Sequence, residues 1–292
     1  ICSHYNIRKG EIMRVLVTGT SGMLGSVVVR DLKKFNLFYE TIESGPSSIL
    51  DLTDLELAER FVKDQNPDVV IHLAAMTSLK KCEEDPSKAK ILHADLTKIL
   101  AQSCNRMIYV STDSVFDGLS CVPYGEDSNT NPLNAYARTK LLGEAIAKNN
   151  NKNSLIIRTN IFGSKPGMLA DWALQSNKDN KEINGFVNVK FNPVYVGHLA
   201  AAIRGMINHN VTGVVNFAGD TCLSKYEFLK ILYNRFNMDT DMIKPKTYTE
   251  SKIDIKRPRY TCLQTDYVSK ELGYSFCLND GLDKLFEEYK EN

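Results

Sequence analysis

The chain of 292 residues is short of several things, and each shortage removes a class of function. Charge of one sign is missing: 36 Lys and Arg against 35 Asp and Glu leave a formal net charge of +1. There is thus no basic field for nucleic acid and no polybasic patch for a membrane surface. Lys256, Arg257 and Arg259 cluster, but so short a run reads as a solvated face. No stretch approaches the roughly 18 consecutive apolar residues that a spanning helix needs. Seven cysteines are scattered without a C-x-x-C pair or metal-ligand spacing, which predicts reduced thiols in a cytoplasm, no disulfide framework and no metal. Internal repeats and low-complexity tracts are absent. What remains, 43% hydrophobic and 24% charged, suits one large domain or two unequal ones with ample core.

The first twelve residues, ICSHYNIRKGEI, carry neither a signal-peptide apolar core nor a strand pattern. Met13 is expected to be the initiator, with residues 1–12 a non-native or disordered leader in which Lys9-Gly10-Glu11 matches translation of a purine-rich ribosome-binding site.

Arg14 to Thr18 is a short β-branched run, followed at once by Gly19-Thr20-Ser21-Gly22-Met23-Leu24-Gly25 and an apolar-periodic helix to about Lys34. A G-x-x-G-x-x-G between strand and helix is the context that makes the motif informative for a dinucleotide. The first glycine permits the tight turn, the second lets backbone approach the pyrophosphate, and the third packs helix on strand. A second strand is expected over Leu37 to Ile42, with Glu40 or Glu43 for a ribose diol. No Lys or Arg occurs between Glu40 and Glu59, which leans toward NADH over NADPH, although Lys33, Lys34 or the glycine loop could still meet a 2′-phosphate. Asp54 is a helix N-cap candidate, and Asp51 reads either as a turn residue or as part of the nucleotide site. The third strand, Asp68 to Leu73, ends in Ala74-Ala75, small enough for a cofactor to lie on the backbone, with Thr77 just beyond. His72, among strand hydrophobes, reads as a satisfied core histidine.

A long helix over Pro86 to Ala101 feeds the buried strand Met107 to Val110, which delivers Ser111, Thr112 and Asp113 to its carboxyl end, where open α/β sheets bind ligands. Tyr136 and Lys140 follow four residues apart in a helix-forming segment, so both face one site. A phenol titrates near ~10, and a neighbouring ammonium favours the phenolate, which points to acid/base chemistry. Ser154 to Arg158 is a further buried strand. Beyond it come a helix over Gly167 to Ser176, a strand over Ile183 to Lys190, a helix over His198 to Asn208, a strand over Val214 to Phe217, helices over Ser224 to Phe236 and Gln264 to Tyr289, and a polar linker from Asp239 to Tyr260. The expected architecture is α/β: a Rossmann-type doubly wound parallel sheet over 13–160 and 187–218, with a smaller discontinuous substrate-binding lobe over 161–186 and 219–292.

The segments TGTSGMLG, PDVVIHLAA, YVSTDSVFDG, NPLNAYARTKLLGE, RTNIFG and RPRYTCLQTD together resemble the extended short-chain dehydrogenase/reductase superfamily, and more closely the dTDP-4-dehydrorhamnose reductase family. The resemblance implies hydride transfer from NADPH or NADH to the C4 ketone of a nucleotide-linked 6-deoxy sugar, in a cytoplasmic monomer or homodimer. It implies Tyr136 as the acid, Lys140 as the group that lowers its pKa and holds the nicotinamide ribose, and Thr112 on the reacting oxygen. It implies a cofactor site of Gly19, Ser21, Gly22, Met23, Leu24, Gly25, Asp51, Leu52, Ala74, Ala75, Thr77, Tyr136 and Lys140. Substrate candidates are Thr112, Asp113, Asn160, Trp172 and Arg257, the last for the diphosphate. Where many relatives carry a tryptophan, this chain has Asn160-Ile161, which bears on the sugar. A branch of the same family resembles the regulatory subunit of methionine adenosyltransferase, which keeps a non-catalytic alternative open.

Overall fold

The computed structural model describes residues 13–34, 39–44, 51–249 and 255–291, without the side chains of 39–44. The leader expected at 1–12 and the Glu40 and Glu43 side chains lie outside the described residues. The elements run β1 (Met13–Thr18), α1 (Met23–Lys34), β2 (Tyr39–Ser44), α2 (Leu55–Gln65), β3 (Val69–His72), α3 (Leu79–Glu84), α4 (Pro86–Lys90), α5 (Leu96–Gln102), β4 (Arg106–Val110) and α6 (Ala135–Asn150). They continue as β5 (Ser154–Arg158), β6 (Ile161–Phe162), α7 (Leu169–Lys178), β7 (Ile183–Phe186), β8 (Lys190–Phe191), β9 (Val194–Tyr195), α8 (Val196–Met206) and β10 (Gly213–Asn216). The last are β11 (Leu223–Ser224), α9 (Lys225–Arg235), β12 (Ile243–Lys246), α10 (Asp266–Lys270) and α11 (Leu278–Glu291).

Six strands form one parallel sheet in the order β10-β5-β4-β3-β1-β2. Its central strands are apolar on both faces because both are covered. Val15, Val17, Val69, Ile71 and Ile108 pack with α1 and α8 on one side, while Leu16, Val70, Met107 and Tyr109 pack with α2, α5 and α6 on the other. Strand alternation thus divides neighbouring residues between two cores, as a doubly wound sheet requires.

Local signals fix several boundaries. Asp54 caps α2 by accepting from Leu57 N at 3.0 Å. Asn134 caps α6 through Ala137 N at 2.9 Å, and Ser224 with Glu227 forms a reciprocal capping box on α9. The long helix expected over Pro86 to Ala101 is present, helical without interruption from Pro86 to Gln102, but its winding changes midway. Asp85 ends α3 and caps α4 through Lys88 N at 2.8 Å, and Ile91–Asp95 is a π-helical turn before α5. Gly143 of α6 lies against that turn so closely that a Cβ would collide with the His93 carbonyl oxygen and the Tyr109 hydroxyl.

The strand expected over Ile183 to Lys190 splits into β7 and β8. The linker expected from Asp239 onward contains β12, IKPK, paired parallel with β7. Its composition hides it because only Ile243 of its four residues is buried.

One expectation is overturned. Cys222 and Cys262 form a disulfide across 40 residues, with their Cα atoms 5.7 Å apart. Pairing of β11 with β8, and of Lys190 with Tyr260, brings the two segments together. Cys82, Cys104, Cys121 and Cys277 are free. Among the described residues no cluster of metal-ligating side chains occurs, and no helix is long and apolar enough to cross a membrane.

Candidate active site

The carboxyl ends of β1, β3, β4 and β5 open onto a cavity of about 550 Å³ lined by the glycine loop, Ala75, Thr77, Ser111, Thr112, Tyr136 and Lys140. Gly19 adopts φ +74°, and a Cβ there would press on the backbone of Ala74. A Cβ on Gly25 would strike the Gly19 carbonyl, so α1 can begin this close to β1 only without a side chain. The first turn of α1 carries no acidic residue, leaving its amide end free of competing negative charge. That is a cradle for a diphosphate, and its donors fit a dinucleotide.

Tyr136 and Lys140 rise from consecutive turns of α6 and both line the cavity. Thr112 shares a hydrogen bond with the phenol, but burial prevails and pushes Tyr136 up to about 12. Lys140 is 3% exposed; desolvation brings it down to about 7, opposed by Glu144 one turn on. Its Nζ donates to the Val110 carbonyl at 2.7 Å and stands 4.0 Å from the Tyr109 ring centroid. Desolvation by burial thus outweighs the lowering expected from sequence.

Beneath these groups lies a buried polar brace. Glu144 accepts from Arg158 Nε at 3.1 Å and Nη2 at 2.8 Å, and from the Ser111 hydroxyl. His93, driven down to about 2 by burial, accepts from Met76 N at 2.9 Å and meets Thr139 Oγ1 at 2.8 Å. Its ring stands edge-on to Tyr136. One neutral imidazole therefore ties the loop after β3 to the helix bearing the phenol. His72 is a satisfied core residue, bonded to Thr18 Oγ1 at 2.7 Å and held neutral, at about 3, by burial.

A second cavity, of about 510 Å³, adjoins the first: Asp113, Ser114 and Asn160 line both. Asn160 donates to Asp113 Oδ2 at 2.7 Å, so this pair stands at their junction. The second cavity has Trp172, Phe186 and Tyr248 on its walls, with Arg257 and Lys225 as its cations. Lys225 is brought down to about 7 by desolvation, with Asp113 opposing and Arg257 adding to the shift.

Sequence-derived candidates therefore divide. Gly19, Ser21, Gly22, Met23, Leu24, Gly25, Ala75, Thr77, Thr112, Asp113, Tyr136, Lys140 and Asn160 line the first cavity, and Trp172 and Arg257 the second. Asp51 and Leu52 lie outside both linings; the Asp51 carboxylate accepts from Thr53, which lowers its pKa. Ala74 is buried behind the first, its N donating to Thr18 Oγ1 at 3.2 Å. Sequence reasoning missed Glu144, Arg158, His93, Lys165 and Lys225. Glu144 had a signal, its four-residue spacing from Lys140.

Residues 13–290 match the family described as RmlD substrate binding domain. A dTDP-4-keto-6-deoxy-D-glucose reductase of Streptomyces niveus is 30% identical over 260 residues, 87% of this chain and 89% of that protein. Methionine adenosyltransferase 2 subunit beta of Xenopus tropicalis is 30% identical over 254 residues, 80% of this chain and 75% of that protein. The crystal structure of a hypothetical dTDP-4-dehydrorhamnose reductase from Sulfolobus tokodaii superposes with a TM-score of 0.82 at 32% identity, covering 92% of this chain and 99% of that one.

Proposed function

The chain belongs to the RmlD substrate binding domain family, and from that premise we propose that it reduces the C4 ketone of a dTDP-linked 6-deoxy sugar, such as dTDP-4-dehydro-L-rhamnose, at the expense of NADPH or NADH. The observation that carries this reading is the placement of Thr112, Tyr136 and Lys140 beside the glycine cradle, one step from a cavity with two cations and aromatic walls. When bound, the nicotinamide supplies the hydride. The glycine-loop amides would hold its diphosphate, and Lys140 its ribose.

Tyr136 donates its phenolic proton to the alkoxide that develops on the sugar. A phenol near 12 stays protonated throughout the neutral range, which suits a donor. Thr112 offers that oxygen a second hydrogen bond. The Asn160 and Asp113 pair faces the sugar, while Arg257 and Lys225 take its diphosphate. Both cations come from the segments that the Cys222–Cys262 bond fastens together.

A second reading, a non-catalytic regulatory subunit, draws on the likeness to the Xenopus protein. The complete Thr112, Tyr136 and Lys140 set favours catalysis. We assign the protein to the cytoplasm, where both nucleotides circulate, as a monomer or homodimer. The test is loss of nicotinamide absorbance with dTDP-4-keto-6-deoxy-L-mannose and each reduced cofactor in turn, with Tyr136→Phe as control. No oxidation with any dTDP-ketosugar, together with stable association with a methionine adenosyltransferase, would establish the second reading.

A further inference from the structure

The segment between β6 and α7 crosses from the large sheet to the second cavity, and one of its side chains reaches back. Lys165 donates from Nζ to the carbonyl oxygen of Ser21, at the tip of the glycine loop and 144 residues away in sequence. Of the described residues lining the first cavity, the cations are Lys140 and Lys165. Lys140 stands with Tyr136 and is engaged by Val110. Lys165 stands at the opposite end, beside the cradle.

The ammonium here meets a dipole that carries no net charge. A diphosphate in the cradle presents negative oxygens to the same atom, and the full charge on that acceptor adds a Coulomb attraction that a carbonyl dipole lacks. The segment bearing Lys165 is also tethered. Met168 N donates to the Lys165 carbonyl at 3.1 Å, Gly167 N to Asp171 Oδ2 at 3.3 Å, and the Tyr289 hydroxyl of α11 to Asp171 Oδ1 at 2.7 Å. Met168 lines the first cavity, and the next residues of the same turn, Leu169 and Trp172, line the second.

We propose that Lys165 is a strap that exchanges the Ser21 carbonyl for the cofactor diphosphate and, through the turn into α7, couples cofactor binding to the wall of the nucleotide-sugar cavity. The proposal rests on the reading of the first cavity as a nicotinamide-dinucleotide site. Thermodynamic linkage requires the coupling to be mutual, so each ligand raises the affinity for the other by one common factor.

The test uses the full chain and its Lys165→Met and Lys165→Arg variants. NADPH and NADH are titrated by fluorescence, and thymidine 5′-diphosphate by calorimetry with and without NADPH. Lys165→Met should bind both reduced cofactors roughly tenfold more weakly, and Lys165→Arg should recover most of that loss. Thymidine diphosphate alone should bind wild type and Lys165→Met equally. NADPH should tighten it about fivefold or more in wild type and not in Lys165→Met. A Lys165→Met protein that binds both cofactors like wild type, or that keeps the full tightening, overturns the proposal. A loss confined to NADPH also overturns it, since the partner is then the 2′-phosphate. Wild type that binds neither cofactor overturns the functional reading and this proposal together.

Discussion

The Lys140 ammonium is pinned to the carbonyl oxygen of Val110, the last residue of β4, at 2.7 Å. The central strand therefore sets where the amine sits, and the helix sets where the phenol sits. Tyr136→Phe should leave NADPH affinity within about twofold while lowering kcat on the dTDP-ketosugar by about 10³. Steady-state kinetics beside a fluorescence titration separates the two effects.

The same pinned amine makes a stability prediction. A lysine lowered from 10.5 to about 7 binds fewer protons in the folded protein than in the unfolded one between those values. Stability should therefore rise with pH across that window, and the penalty for the buried charge is complete below pH 7. Lys140→Met should raise the Tm of the cofactor-free protein at pH 6 and lose that advantage by pH 10, although it abolishes turnover. Thermal melts of both proteins at the two pH values measure it.

Glu144 is the single carboxylate holding both Arg158 and Ser111. Glu144→Ala strands a guanidinium that is nearly inaccessible, and should cost on the order of 3–5 kcal/mol in urea unfolding. Glu144→Leu combined with Arg158→Met should recover much of it, because the pair is then removed as a unit. If the double variant is no more stable than Glu144→Ala, the brace does more than satisfy its own charges.

The Cys222–Cys262 bond closes a loop of 40 residues that includes Arg257, and Cys222 is solvent-exposed. Its removal should cost about 3–4 kcal/mol. Melts of wild type with and without dithiothreitol should differ, while Cys222→Ser should melt low under both conditions. Equal wild-type curves would mean the thiols are free in solution.

Gly25→Ala drives a methyl into the Gly19 carbonyl. The glycine loop must then open, and NADPH binding should weaken by more than about a hundredfold while far-ultraviolet circular dichroism stays native.

What could be read from sequence was what is local. Asp54 before an apolar period, the glycine loop between strand and helix, and Tyr136 four residues from Lys140 each carry their signal within one turn or two. The hydrophobic runs of β3, β4 and β5 were legible because burial on both faces leaves no polar alternation to interpret. What escaped depends on the three-dimensional meeting of distant segments. Lys165 lies on a loop without periodicity, and nothing near it announces Ser21. Lys225 reads as the first residue of a capped helix, and only the fold turns it toward Asp113 and Arg257. The disulfide joins cysteines whose spacing matches no motif, and β12 carries two lysines and a proline. His93 looked like one more residue of a long helix, and the π turn that swings its carbonyl toward the Tyr109 hydroxyl, at 3.1 Å, has no compositional mark.

Where Gly143 abuts that turn there is no space for even one methyl group. The contact acts as a mechanical stop on the rod that carries the Tyr136 phenol, the proton donor we propose. A helix seated hydrogen against oxygen has no slack in which to slide or roll, so the alignment of the phenol is inherited from a residue that contributes no side chain at all.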